Sequence, residues 1–279
     1  MSQKSYNNTA TLYLIPTPIG NLDDMTPRAI NILNEVEVVF SEDTRVTQEL
    51  LHHFNIKKRC IASHDHNEIL NKDKLLKYLE MGNNVGLVSD RGTPVISDPG
   101  FELAKVAISS GYNVVGLPGA TALIPALIMS GLDSKHFLFY GFLDHKESKR
   151  KKELEELKSF KYTMIFYEAP HRITKTLNNM FEIFGNRNIS ISREISKKFE
   201  EVYRGTISDV ISEIEGAKGE FVIIVDGNKE EQTFEHLTIV EHVNLYIKEG
   251  KSSKDAIKLV AKDRNISKSE VYNAYHIER

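Results

Sequence analysis

The chain has 279 residues, 41% of them apolar and 27% charged, with 36 Lys and Arg against 39 Asp and Glu for a formal charge of -3. Single cores are most common at ~100–200 residues, so about two domains are expected, and the apolar, mixed-charge composition excludes collagen-like, low-complexity and disordered classes. A near-neutral balance also excludes a uniformly basic nucleic-acid binder, so charge has to be read by segment.

Met1 to Ala10 is polar, and the first apolar run, Leu12 to Ile15, is too short for a signal-peptide core or a membrane span, so no membrane segment is expected. Cys60 is the lone cysteine, which leaves no intrachain disulfide and no zinc framework and points to a reducing cytoplasm. Strands are predicted at Leu12–Ile15, Glu37–Phe40, Val85–Val88, Asn113–Leu117 and Phe137–Tyr140. Between them the apolar spacing is helical at 29–36, 44–54, 69–81, 101–109 and 120–129, with Thr26-Pro27 as an N-cap followed by proline in the first helical position. This alternation is the pattern of a parallel sheet, so 1–143 is expected to form an α/β domain.

Residues 144–161 carry seven Lys or Arg and five Asp or Glu with no strand pattern, and are expected to form a boundary helix; Lys149 to Lys152 is a basic run within it. Strands return at Tyr162–Tyr167, Asn188–Ser192 and Phe221–Val225, with helices at 173–184 and 208–215, so 144–227 is expected to be a second α/β domain. From 228 to 279 strand patterns disappear. Two helices are expected there, at 253–264 and from the capping box Ser267-Lys268-Ser269-Glu270 onward, with eight Lys or Arg against five Asp or Glu over 248–279. Two short amphipathic helices of this kind either pack together or form a helix-turn-helix-like nucleic-acid contact.

Glycine and proline concentrate where predicted strands end. Thr17-Pro18-Ile19-Gly20-Asn21 follows the first strand, Ser89-Asp90-Arg91-Gly92-Thr93-Pro94 the third, and Leu117-Pro118-Gly119-Ala120-Thr121-Ala122 the fourth. Ligands of open α/β sheets bind beyond the carboxyl ends of strands, so these loops are expected to share one cleft; taken singly, each also serves as an ordinary turn. Gly-x-Gly-x-x-Gly, Gly-x-x-x-x-Gly-Lys-Ser/Thr, Gly-x-Ser-x-Gly and His-Glu-x-x-His are absent from the sequence, which removes the main support for dinucleotide, triphosphate, esterase and zinc-protease chemistry. A cofactor held by backbone groups and short loops remains.

These three loops, together with Glu42-Asp43-Thr44-Arg45, Ser97-Asp98-Pro99-Gly100, Tyr167-Glu168-Ala169-Pro170-His171-Arg172 and the block from Arg193 to Glu201, resemble the tetrapyrrole methylase superfamily in its ribosomal RNA methyltransferase branch. The resemblance runs in order from about Leu12 to Gly227. It implies two αβα domains with a donor cleft between them, S-adenosylmethionine as donor, no metal, and a homodimer. The acceptor it implies is the ribose 2′-hydroxyl of a cytidine in the decoding centre of 16S rRNA, as free RNA or in the small ribosomal subunit. Carried over by position, Pro18, Gly20, Ser89, Asp90, Gly92, Thr93, Pro118, Gly119, Ala120 and Thr121 would line the donor site. Arg91 departs from the alanine usual in the family, and would either enter the cleft or face RNA.

In-line methyl transfer to a hydroxyl needs alignment above all, and a proton acceptor helps. Glu168, His171 and Asp90 are the candidate acceptors and Glu168 is the preferred base, although it could equally pair with Arg172, and His171 could be an ordinary polar residue at a helix start. Glu42 to Arg45 reads either as part of the site or as a helix cap with an ion pair. Arg45, Arg91, Arg172, Arg193 and Lys197 are the candidate RNA contacts. A porphyrinoid C-methyltransferase would share the donor cleft but need a trough for an acidic macrocycle. A non-catalytic regulator acting through the C-terminal helices would leave the strand-end loops without a purpose.

Overall fold

The computed structural model describes residues 3–5, 7, 9–64, 67–229 and 237–277. Contacts divide the chain into 1–228 and 229–279. The first unit opens on a five-stranded, wholly parallel sheet in the order β3-β2-β4-β1-β5. Its strands are β1 (Thr11–Leu14), β2 (Val38–Ser41), β3 (Arg59–Ala62), β4 (Val85–Val88) and β5 (Asn113–Gly116), separated by α1 (Pro27–Glu35), α2 (Thr44–His53), α3 (Glu68–Glu80) and α4 (Phe101–Ser109). Alternation along the strands builds two cores. Tyr13, Ile15 and Val39 pack with Ala29, Leu33 and Leu51 of α1 and α2 on one face. Leu12, Val38 and Phe40 pack with Leu75, Leu79 and Leu103 of α3 and α4 on the other. Thr26 caps α1 by accepting the Ala29 N–H at 3.1 Å, with Pro27 in the first helical turn as expected.

The second sheet has the order β6-β7-β10-β8-β9. It comprises β6 (Phe137–Phe142), β7 (Thr163–Glu168), β8 (Asn188–Arg193), β9 (Glu201–Thr206) and β10 (Phe221–Val225), with α5 (Leu123–Ser130), α6 (Glu147–Leu157), α7 (Ile173–Phe184) and α8 (Ile207–Glu213). The strand expected to close the first domain, β6, lies in this sheet, parallel to β7. The physical reason is α6: a charged helix between two parallel strands is their crossover connection, not a boundary between domains. The sheet boundary therefore falls between β5 and β6 rather than at residue 143. Met164, Phe166, Ile191 and Ile223 pack against α6, α7 and α8 on one face. On the other face, Ile165, Val222 and Ile224 meet Ala126 and Leu127 of α5, a helix that follows directly from the first sheet.

The edge strands β3 and β9 fall where the sequence pattern predicts no strand. In the unit from 229 on, α9 (Ile239–Lys248) joins α10 (Ser253–Asp263) and α11 (Lys268–Ile277) around Val243, Val260, Val271 and Tyr275. The sequence pattern showed α10 and α11 but not α9. Asn265 turns the chain between α10 and α11 with φ 52°, and the Ser267 hydroxyl accepts the Glu270 N–H at 3.1 Å. Glu278 and Arg279, counted in the basic tail, lie outside the described residues. Among the described residues no helix is long and apolar enough to cross a membrane.

Candidate active site

The three strand-end loops of the first sheet converge. Thr17 and Gly92 exchange backbone hydrogen bonds, each 2.9 Å long. Below them, the Thr17 hydroxyl donates to the Ser89 carbonyl at 3.1 Å and the Ser89 hydroxyl to the Gly92 carbonyl at 3.2 Å. The third loop is tied in by Thr93, whose hydroxyl donates to the Ala120 carbonyl at 3.0 Å. Two glycines permit this approach. Gly92 has φ 84°, a region disfavoured for residues with a side chain, and a Cβ on Gly119 would stand 2.7 Å from Cβ of Pro16. The β2 end joins through Asp90, whose Oδ1 accepts the Asp43 N–H at 2.9 Å.

These loops form one wall of a cavity of about 610 Å³, and the second sheet forms the other through Phe142, Tyr167, Glu168, Ile195 and Val222. Of the ten residues expected at the donor, Asp90, Gly92, Thr93 and Thr121 line this cavity. Gly119, Ala120 and again Thr121 line an adjoining hollow of about 580 Å³ that shares Ile19 and Ile195 with the first. Pro18 and Ser89 are buried behind the lining. Gly20 lies beneath the Lys197 stem, since a Cβ there would collide with Lys197 Cγ, and the exposed Pro118 borders neither hollow.

Glu168 is 3% exposed and fully engaged. Its Oε1 accepts the Ala169 N–H at 2.8 Å and its Oε2 the Thr176 hydroxyl at 2.5 Å. The Arg172 guanidinium adds Nε 3.1 Å from Oε1 and Nη2 3.4 Å from Oε2, and also donates to the Leu143 carbonyl at 2.7 Å. Of the alternatives open for Glu168, the pair with Arg172 is the arrangement present. His171 is exposed on the turn between β7 and α7 and borders neither hollow. Tyr167 faces the cavity beside Phe139 and Phe142, at ring distances of 5.0 and 5.6 Å. Burial pushes its phenol above the usual tyrosine range, so at neutral pH it is a hydrogen-bonding hydroxyl.

The five candidate RNA cations all hold carboxylates. Arg45 pairs with Asp43 at 2.6 Å, and this hydrogen bond holds the Asp43 carboxyl down at about 2, so the cap and the ion pair are both present beside the bond from the Asp43 N–H to Asp90. Arg91 lines the cavity and pairs there with Glu220 at 2.7 Å. Lys197 bonds both Glu220, at 2.7 Å, and Glu194, at 2.9 Å. Arg193 pairs with Glu201 at 2.7 Å, and Arg172 with Glu168. Among cavity residues not chosen from the sequence, Asp98 and Tyr167 belong to motifs already noted, so a signal existed. Ile195 likewise lies in the block from Arg193 to Glu201, whereas Phe142 carried no signal, because an apolar residue at a strand end looks the same whether it faces a core or a cavity.

Among the described residues no cluster of three or more His, Cys, Asp and Glu could hold a metal ion. A family model, Tetrapyrrole (Corrin/Porphyrin) Methylases, matches residues 11–211. The protein named Ribosomal RNA small subunit methyltransferase I of Bacillus subtilis (strain 168) is 48% identical, the alignment covering 100% of this chain and 98% of that one. A protein of the same name from Halalkalibacterium halodurans is 46% identical over 99% of both. In fold, the chain is similar to uroporphyrin-III-C-methyltransferase from Thermus thermophilus, with TM-score 0.56 and 18% identity over 78% of this chain and 94% of that one. It is also similar to diphthine synthase, with TM-score 0.61 and 13% identity over 78% and 90%. With the paired sheets and the strand-end cleft already in place, the match across most of its length establishes that this chain belongs to the tetrapyrrole methylase family.

Proposed function

We propose that the chain transfers a methyl group from S-adenosylmethionine to the ribose 2′-hydroxyl of a cytidine in the decoding centre of 16S rRNA, acting in the cytoplasm as a homodimer on the small ribosomal subunit. Family membership supports the methyltransferase activity, and the names of the relatives support ribosomal RNA as substrate class. The observation that carries the chemistry is the joining of the loops at Thr17, Gly92 and Ala120 along one cavity wall, opposite the second sheet.

The donor fits the residues present. A volume of about 610 Å³ is ordinary for a small-molecule site, and ring and aliphatic surfaces beside Asp90 and Asp98 suit a cationic sulfonium with an apolar frame. When bound, S-adenosylmethionine supplies an electrophilic methyl carbon. The rest falls to the chain: the bolted loops around Gly92, Thr93, Ala120 and Thr121 hold position, and Phe142, Tyr167 and Ile195 exclude water. Alignment is the larger contribution, because orienting the reactants removes much of the entropic barrier. Asp90, on the cavity wall with Oδ1 fixed by the Asp43 amide, is the proton acceptor of this proposal, with a typical effect of ~10²–10⁴-fold. Glu168 and Arg172 shape the acceptor wall, and the C-terminal helices supply an accessory RNA contact.

Purified protein with labelled donor and undermodified small subunits tests this. Label is expected in the sugar of the target nucleotide and lost when that nucleotide lacks its 2′-hydroxyl. Transfer to a porphyrinogen instead of RNA would overturn the proposal, as would an absence of donor binding.

A further inference from the structure

The segment between β8 and β9 is held more firmly than its irregular path suggests. Glu194 and Ser196 both adopt left-handed backbone, with φ 52° and 66°. Glu194 and Glu220 anchor the start of the segment, by Glu194 N–H to Glu220 carbonyl and Glu220 N–H to Glu194 Oε1, both 3.0 Å. Ile195, 7% exposed, fills the wall between the two hollows. Farther along, the Ser196 N–H donates to Glu200 at 2.6 Å, the Ser196 hydroxyl bonds Asp24 of the first-sheet loop, and the Glu200 N–H donates to the Lys197 carbonyl at 3.1 Å. Glu194, Ser196 and Lys197 are thus bonded to residues outside the segment, Ile195 is packed against the second sheet, and the Glu200 bonds to Ser196 and Lys197 close the segment on itself. Phe199 is 67% exposed, more than the exposed aromatics Phe101, Phe142 and Tyr272, and the Lys198 ammonium stands 5.8 Å from its ring centroid. Its neighbours Ser196 and Glu200 line the second hollow.

We infer that Phe199 is a stacking platform for an unpaired RNA base next to the target nucleotide, with Lys198 meeting the adjoining phosphate. This rests on the proposed RNA substrate and names a residue that selects it. A rigid loop presenting one bare ring and one cation beside a ligand cavity matches how single-stranded RNA is gripped: bases stack on aromatic faces while cations follow the backbone. A ring at the tip of a turn closed by the bond from the Glu200 N–H to the Lys197 carbonyl has less freedom to lose on binding than one on an open segment. Phe199 lines neither hollow, so its role in this inference is that of a positioning residue.

The test is Phe199→Ala, with Phe199→Trp as the conservative partner. Stacking is worth ~1–3 kcal/mol per base, so Phe199→Ala is expected to weaken binding of undermodified small subunits about 5- to 150-fold. The loss should appear in KM, with kcat at saturating subunits, donor affinity and Tm unchanged, and Phe199→Trp should restore KM. Independently, Lys198→Ala should flatten the log-affinity against log-salt slope by about 0.7, the value for one phosphate contact on a single strand. Wild-type KM in Phe199→Ala would overturn the inference, and so would a changed oligomeric state by sedimentation, which would make the ring a protein contact. Direct subunit binding, measured without donor, separates the two proposals. Phe199-dependent binding without any transfer would sink the methylation proposal alone, whereas normal transfer indifferent to Phe199 would sink this one alone.

Discussion

Removing the carboxylate of Glu168 separates a structural anchor from a proton acceptor. The side chain is 1% exposed and its partner Arg172 17% exposed, so Glu168→Ala leaves a guanidinium with little water to replace its counter-ion. It also removes the acceptor of the Thr176 hydroxyl and of the Ala169 amide. Breaking a buried pair on one side typically costs ~3–5 kcal/mol. For a unit of this size each kcal/mol lowers Tm by roughly 2–4 °C, so a loss of roughly 6–20 °C is expected by scanning calorimetry. Glu168→Gln keeps the shape and one oxygen, and should fall between wild type and Glu168→Ala. Methyl transfer, assayed below the lowered Tm, should decline with the order of the β7–α7 turn and not by the full factor of a lost base. A Glu168→Ala protein with wild-type Tm and transfer reduced beyond 100-fold would refute the anchor and restore Glu168 as the base.

Gly119→Ala places a Cβ 2.7 Å from Cβ and 2.9 Å from Cγ of the Pro16 ring, which cannot rotate away. Overpacking of this kind costs ~1–3 kcal/mol, so a Tm loss of roughly 2–12 °C is expected, together with weaker donor binding by calorimetry. Gly116→Ala, with no heavy atom within 4 Å of its added Cβ, is the control and should leave both values unchanged. In the C-terminal unit, His242 is fully buried, stacked 5.3 Å from Tyr246, with Arg264 Nε 3.2 Å from its Nδ1 and Asp263 Oδ2 3.6 Å from its Nε2. Burial first, and Arg264 second, hold its imidazole below the usual value of 6.5, against the pull of Asp263. A neutral folded histidine takes up a proton more readily when unfolded, so its contribution is fully present above pH 6.5 and is lost as pH falls below that value. Protection factors of the α9 amides, with the intrinsic slowing of exchange divided out, should therefore fall between pH 7.5 and 5.5, and His242→Phe should remove that fall.

Sequence periodicity revealed those elements whose faces differ strongly in polarity. β1, β2 and β4 are short apolar runs because both of their faces are covered, and α1 announces itself through Thr26 and Pro27. β3 and β9 lack a legible strand pattern because they are edges. Arg59 on one, and Glu201, Arg204 and Gly205 on the other, are the charges and breaks that keep an open edge from pairing with another chain, and they erase the strand pattern in doing so. α9 was hidden by its β-branched Ile239, Val240 and Val243, although the capping box of Thr238 and Glu241 was legible. The strand-end glycines located the cleft, because close backbone approach demands glycine in any such fold. The membership of β6 in the second sheet was not legible, since sheet order depends on which crossover a helix makes.

The five cations singled out for RNA differ in exposure more than in charge, and exposure decides what each can do. Arg45 with Asp43, and Arg91 with Glu220, are solvent-exposed pairs. Such pairs contribute ~0–1 kcal/mol, so a phosphate can exchange for either carboxylate at small net cost. Arg172 is the opposite case: its carboxylate is buried, it also holds the Leu143 carbonyl, and exchanging that partner would expose the interior of the acceptor wall. Arg193 and Lys197, 22% and 20% exposed, lie between these limits, and Lys197 shares Glu220 with Arg91. Glu220 thus restrains two cations, Arg91 and Lys197, at once, so under the proposed function the exposed Arg45 and Arg91 are the cations expected to exchange most easily for a phosphate, while Arg172 stays bound to Glu168.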